Sequence, residues 1–313
     1  MNIKSCIGYS LKPEIDNSQL SIYNLHKTHS KQIMKILITG PHGMLGTDII
    51  KLLRKERDLK VIEATHEELD ITLEDEVSDF ISRHTPDIII NCAAYTNVDK
   101  CETEREKAFK VNAMGPKYIA AAAKGCGARI IHISTDFVFD GNSERPYVEG
   151  DQTNPLSEYA RTKLEGEKNI QDYCNSFLIV RTSWLFGHHG ANFVKKMLEL
   201  AGHKEELSIV TDETGTPTYT ADLAEALWIL IKKGCEGIFH VSNEGCCSRY
   251  EWAKYIFETQ GYNIKVNPIK SSQYKRPAKV PLNSTLNCQK LTTSTGMRMR
   301  PWQEALSAYL NKQ

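Results

Sequence analysis

Tyr159 and Lys163 stand four residues apart in Ser157-Glu-Tyr-Ala-Arg-Thr-Lys163. On a helix that spacing stacks both side chains on one face. An ammonium held beside a phenol favours phenolate and lowers its pKa. The pair therefore predicts a tyrosine able to pass a proton near neutral pH. Alone the spacing is weak, because two solvated residues on one helical turn satisfy it equally well. Its company gives it weight: upstream lie an isolated Ser134-Thr135 and a glycine-rich turn, Gly40-Pro-His-Gly43-Met-Leu-Gly46.

These residues need a scaffold, and the sequence spells one. Met34–Thr39 is a short apolar run that reads as a buried parallel strand. It enters the glycine turn directly, and Thr47-Asp-Ile-Ile-Lys-Leu-Leu53 then reads as an amphipathic helix. Strand, glycine turn and helix together place a pyrophosphate at a helix N-terminus, where unpaired N–H groups and the helix dipole favour negative charge. Gly40 suits the tight turn, Gly43 the approach to phosphate and Gly46 the close packing of helix on strand. The spacing is Gly-x-x-Gly-x-x-Gly rather than the plain dinucleotide fingerprint. Further strands are predicted at 59–64, 87–93, 128–134 and 177–181. Helices are predicted at 73–83 and, in one long piece, at 104–124. Such alternation predicts an α/β fold, a doubly wound parallel sheet of Rossmann type. Ligands on these sheets gather at the carboxyl ends of the strands, where Ala93-Ala94-Tyr95-Thr96 and Ser134-Thr135-Asp136 fall.

The chain has 313 residues, no formal net charge and 41% hydrophobic content. That suffices for one two-lobed catalytic unit. Balanced charge gives no reason to expect nucleic acid or an anionic membrane surface. Nine cysteines show no Cys-x-x-Cys pair, and ten histidines form no ligand cluster; His188-His189 reads as loop. An odd cysteine count without a disulfide framework predicts a reducing cytoplasm. Residues 1–33 are polar, with no stretch suited to a signal peptide or membrane span, and read as a flexible N-terminal extension. Residues 34–182 read as the dinucleotide-binding domain. Residues 183–313 read mainly as a substrate-binding lobe, with helices at 192–201, 220–233 and 249–260 and a short strand at 238–241. The helix at 220–233 is expected to return to the sheet, and Ser248 to cap the helix that follows it.

Thr39-Gly-x-x-Gly-x-x-Gly46, Asn91-Cys-Ala-Ala-Tyr-Thr96, Ser134-Thr-Asp136 and Tyr159-x-x-x-Lys163 together resemble the extended short-chain dehydrogenase/reductase family. The resemblance runs from Met34 to near the C-terminus. Ser134-Thr-Asp-Phe-Val-Phe-Asp-Gly141, Arg181-Thr-Ser-Trp184, Gly190-Ala-Asn-Phe193 and Gly215-Thr-Pro-Thr218 are similar to its dTDP-4-dehydrorhamnose reductase branch. That resemblance implies reduction of the C4 ketone of a dTDP-linked 6-deoxy-4-ketohexose, giving dTDP-L-rhamnose. It implies Tyr159 as the proton donor and Lys163 as holder of the nicotinamide ribose and depressor of the tyrosine pKa. Thr135 would orient the ketone, with Ser134 as second choice. The cofactor would lie on Gly40, His42, Gly43, Met44, Leu45 and Gly46, with Asp70 and Ile71 by the adenine and Ala93, Ala94 and Tyr95 lining the nicotinamide side. Thr96, Val98, Asp136 and Trp184 would line the sugar-nucleotide pocket; taken alone, Trp184 reads as a core aromatic.

Three departures and contrasts qualify the resemblance. Related 4,6-dehydratases carry Thr-Asp-Glu, whereas Phe137 follows Asp136 here and cannot carry a proton, which disfavours dehydration. Where the family shows an arginine near the C-terminus, Val280 stands, so Lys279 or Arg276 would have to serve a substrate diphosphate. After the second strand, Ala64-Thr-His-Glu67 offers no acid placed for a free ribose 2′-hydroxyl, and His66 can sit beside a 2′-phosphate. The cofactor reading is therefore NADPH, with NADH as the alternative. The resemblance also allows a homodimer and a Mg²⁺ at its interface, but no ligand set is legible and no metal site is assigned. Two other readings stay open: another sugar-nucleotide enzyme such as an epimerase, and a regulatory protein like the methionine adenosyltransferase β subunit.

Overall fold

The computed structural model describes residues 33–311; the N-terminal extension expected from the sequence lies outside the described residues, Ile33 excepted. Six parallel strands form the central sheet: β1 (Met34–Thr39), β2 (Leu59–Ala64), β3 (Ile88–Asn91), β4 (Arg129–Thr135), β5 (Phe177–Thr182) and β6 (Gly237–His240). Their order is β6-β5-β4-β3-β1-β2. The flanking helices are α1 (Met44–Leu53), α2 (Glu74–His84), α3 (Gly115–Cys126), α4 (Glu158–Tyr173) and α5 (Thr220–Lys232).

The strand sequences are near-continuously apolar because both faces are covered. Alternation along β1 divides its side chains. Ile36 and Ile38 pack with α1 and α5 through Ile49, Leu53, Leu223 and Leu227. Leu37 faces the opposite layer, where Val77, Ile119 and Ile170 come from α2, α3 and α4. This is the doubly wound arrangement.

The strand order reverses between β1 and β3, and at that switch point two loops touch. Gly40, just after β1, adopts a φ of +64°. A Cβ added there would lie 2.9 Å from the Ala93 nitrogen, just after β3. Only glycine allows that approach at that dihedral.

Two elements differ from the sequence reading. The single helix expected at 104–124 is broken into Arg105–Phe109, a π turn at Lys110–Met114, and α3. Pro116 lacks the N–H that would bond the Asn112 carbonyl, so the ladder widens there. Gly166 of α4 then fits against that carbonyl, where a Cβ would approach to 2.3 Å. The strand after α5 joins the central sheet as its edge, pairing parallel to β5.

Residues between β5 and α5, and those after β6, build a second core. Phe186, Met197, Leu207, Trp252, Trp302 and Tyr309 pack together there. The helix Phe193–Ala201 starts at Asn192, whose side chain accepts from the Lys195 N–H. Helix α6 (Arg249–Thr259) starts at Ser248, in a capping box with Glu251. A parallel pair, Glu206–Val210 with Lys265–Ile269, completes the lobe. Its polar residues and Pro268 gave no strand signal in the sequence.

Candidate active site

A cavity of about 600 Å³ opens at the carboxyl ends of β1, β3, β4 and β5. Gly43, Met44, Leu45 and Gly46 form one wall. The turn is clasped on itself: the Gly43 N–H bonds the Gly40 carbonyl at 3.1 Å, and a Cβ at Gly46 would lie 2.3 Å from the same oxygen. No side chain caps α1 and no carboxylate occupies its first turn. Its leading N–H groups are thus available to an anion, and a dinucleotide pyrophosphate fits this cradle.

Opposite stand Ala94, Thr96, Val98, Thr135, Asp136, Tyr159, Lys163 and Trp184. Twelve of the residues singled out from sequence thus meet in one cavity wall, although 141 positions separate the first from the last. Six others lie elsewhere. Gly40 and Ala93 sit beneath the floor, shaping the turn. His42 is exposed at the turn's tip. Tyr95 points away and carries the Lys107 ammonium 4.8 Å from its ring centroid. Asp70 lines a second cavity, of about 590 Å³, with His66 and Lys107. The Ile71 side chain is buried in the core.

Tyr159 and Lys163 project from α4, whose N-cap Ser157 accepts from the Ala160 N–H. Phe137 meets the Tyr159 ring edge-on, with centroids 6.2 Å apart. Burial pushes the phenol's pKa well above its ordinary value; the Thr135 hydroxyl, within hydrogen-bond reach, opposes the shift, and the Asp136 carboxylate adds to it. The net shift runs opposite to the expected lowering, because burial outweighs every opposing group; the Lys163 ammonium donates to the Ile133 carbonyl at 2.7 Å and faces His132 Nε2 at 3.2 Å. Burial lowers Lys163 to about 8, partly offset by Glu167.

The two candidate residues on β4 both line the cavity, but their hydroxyls have different partners. Ser134 donates to Glu167, which also receives a two-pronged ion pair from Arg181. The Thr135 hydroxyl instead donates to Asp136 Oδ1 at 3.0 Å. Asp136 is raised to about 6 by burial, with Ser284 and Thr135 opposing, and its Oδ2 has no partner among the described residues. A buried carboxylate oxygen without a donor invites a ligand hydroxyl.

Trp184 has a φ of +45°, a costly conformation for a bulky residue. A Cβ at Gly215 would lie 2.5 Å from its ring, so the indole's seat exists only because glycine is there. Sequence reasoning missed what covers it: the Arg249 guanidinium stacks on the indole, 3.4 Å from the ring centroid, and also lines the cavity. Its signal was present in the stretch flagged as a helix start, but nothing in the sequence couples positions 184 and 249. Cys92, Ser183 and Ala191 are further wall residues not anticipated. Among the described residues no group of three or more His, Cys, Asp or Glu is arranged to hold a metal ion, and no helix is long and apolar enough to cross a membrane.

Comparison with known proteins identifies the family. The chain is 45% identical to a dTDP-4-dehydrorhamnose reductase of known structure from Clostridium acetobutylicum, with a TM-score of 0.87 over 89% of this chain and 99% of that one. The dTDP-4-dehydrorhamnose reductase of Bacillus anthracis, solved in complex with NADP, is 36% identical with a TM-score of 0.87, covering 90% and 99%. The spore coat polysaccharide biosynthesis protein SpsK of Bacillus subtilis is 40% identical over 278 residues, 89% of this chain and 97% of its own. The model of the RmlD substrate binding domain matches residues 34–313, and the chain belongs to that family.

Proposed function

We propose that this chain is an NADPH-dependent oxidoreductase that reduces the C4 ketone of dTDP-4-dehydro-6-deoxy-L-mannose to dTDP-L-rhamnose, in nucleotide-sugar biosynthesis. The observation that carries the reading is the grouping of the Tyr159 phenol, the Thr135 hydroxyl and the buried Lys163 in one cavity wall. NADPH, held on the Gly43–Gly46 turn, supplies the hydride. As negative charge develops on the ketone oxygen, Tyr159 gives it a proton, and Thr135 orients the oxygen towards the phenol. A raised pKa keeps Tyr159 in the acid form that reduction requires. Lys163 binds the nicotinamide ribose and stabilises the tyrosinate left behind. Asp136 receives a sugar hydroxyl on its unpartnered oxygen, and Trp184, Thr96 and Val98 bound the substrate side. Phe137 supports reduction over dehydration, since it offers no second proton carrier. NADPH use draws support from the NADP-bound relative and from His66, which lines the second cavity beside Lys107. Eight free cysteines among the described residues support a cytoplasmic location.

The test is NADPH oxidation with freshly generated dTDP-4-dehydrorhamnose, the product identified by NMR. Formation of dTDP-L-rhamnose is the expected result. Binding of NADPH without turnover would overturn this substrate and direct attention to another sugar nucleotide or a regulatory role.

A further inference from the structure

The family pattern leads one to look near the C-terminus for the cation that holds a substrate diphosphate, yet Val280 stands there. Neither nearby candidate lines the cavity wall, although Arg276 is near enough to Arg249 to lower its pKa. Arg276 is tied to Asp99, its Nε 3.1 Å from Oδ1, and Lys279 is exposed and absent from the cavity wall. Three side chains of that wall carry charge: Asp136, Lys163 and Arg249. Lys163 is engaged with the Ile133 carbonyl and His132.

We propose that Arg249 is the residue that grips the diphosphate of the nucleoside-diphosphate sugar. Its guanidinium lies flat on Trp184 and is mostly enclosed, with 22% of the side chain exposed. It makes one long ion pair, 3.9 Å to Glu213, and donates no hydrogen bond among the described residues. A planar cation held in place by stacking, with its N–H fork unengaged at a cavity wall, suits a diphosphate. Burial lowers Arg249 to about 10, with Glu213 and Asp136 opposing, so the charge persists at neutral pH. Trp184 serves as the platform that fixes the fork, which accounts for the strained backbone that holds the indole there. The cofactor's own pyrophosphate is provided for across the cavity, at the start of α1. This inference rests on the nucleotide-sugar reading, but its test does not require turnover.

The test compares dTDP with thymidine, which lacks the phosphates, by calorimetry on the full chain and on the Arg249→Met and Arg249→Lys variants. The wild type is expected to favour dTDP strongly. Arg249→Met should weaken dTDP about 30-fold and leave thymidine within about threefold; Arg249→Lys should fall between, keeping a charge without the fork. NADPH binding to each variant reports an intact fold. Equal weakening of dTDP and thymidine would overturn the proposal, since Arg249 would then merely prop Trp184. Full dTDP affinity in Arg249→Met would overturn it too. Inorganic diphosphate competing as well as dTDP would show a site for free phosphate and overturn the nucleotide assignment. Arg249-dependent dTDP binding without reduction of the 4-keto sugar would sustain the inference while sinking the proposed reaction.

Discussion

At the residue scale the acid and the cation share one cavity wall but differ in their partners. Burial holds Tyr159 neutral, while Lys163 rests on the Ile133 carbonyl and the neutral His132, whose own pKa burial holds far below the ordinary value. Removing only the phenol oxygen tests the acid. Tyr159→Phe should lower kcat by about 10²–10⁴-fold while NADPH affinity, read by fluorescence titration, stays within a few-fold; near-normal turnover would assign the proton to another group. The lysine sets the pH dependence. Lys163 titrates at about 8, so kcat/KM should fall above that pH, while Tyr159 stays protonated throughout the window. The sign for stability is opposite. Between about 8 and the ordinary lysine value the unfolded chain holds a proton that the folded chain has released, so this group's contribution to stability rises with pH. A rate profile that declines above pH 8 while the thermal midpoint does not is therefore the expected pair of curves. Lys163→Met should flatten the alkaline limb, and a limb that persists would trace it to another group.

At the element scale, what the sequence discloses is what local chemistry determines. The glycine turn is legible because strand, turn and helix are contiguous, and the Tyr159/Lys163 pair because a helix fixes its geometry. The break at Lys110–Met114 was signalled by Gly115-Pro116, but alanine-rich flanks masked it. The partners of Lys163 were not legible, because Ile133 and His132 are supplied by β4, about 30 positions away. Arg249 was hidden for the same reason, since its partner Trp184 is 65 positions away and joined to it only by tertiary packing. The turn itself yields a contrast between two glycines. A Cβ at Gly46 meets the Gly40 carbonyl and Pro41 backbone, so Gly46→Ala must open the cradle; NADPH affinity should drop by at least about tenfold, or ~1.4 kcal/mol. At Gly125, in exposed helix with no atom near an added Cβ, the same change should stabilise by about 0.5–1 kcal/mol and leave NADPH binding alone. Calorimetry and thermal melts on the two variants read both. Equal NADPH affinity in Gly46→Ala and wild type would show that the turn does not hold the cofactor.

At the scale of the whole molecule, sequence order and spatial order part company after β5. The chain leaves the sheet at Thr182, begins the second core, then returns through α5 to lay β6 against β5. Leu223, Leu227 and Leu230 of α5 and Phe239 of β6 pack in the same cluster as Ile36, Ile38, Ile49 and Leu53. A fragment ending at residue 182 would expose that apolar face and the unpaired edge of β5, both of which favour aggregation. The dinucleotide-binding half is therefore not separable at the point where the sequence pattern changes. A 34–182 fragment should be recovered insoluble, or soluble without a cooperative melt, whereas 34–313 should unfold in one transition that NADPH raises. At a hundredfold excess over Kd the shift corresponds to ~2.7 kcal/mol, about 5 °C for a chain of this size. A soluble 34–182 fragment with its own cooperative transition and full NADPH affinity would mean that α5 and β6 are accessories to the sheet rather than part of its core. The Arg249 site would then depend on a lobe that docks on a finished domain, instead of one through which the sheet itself is completed.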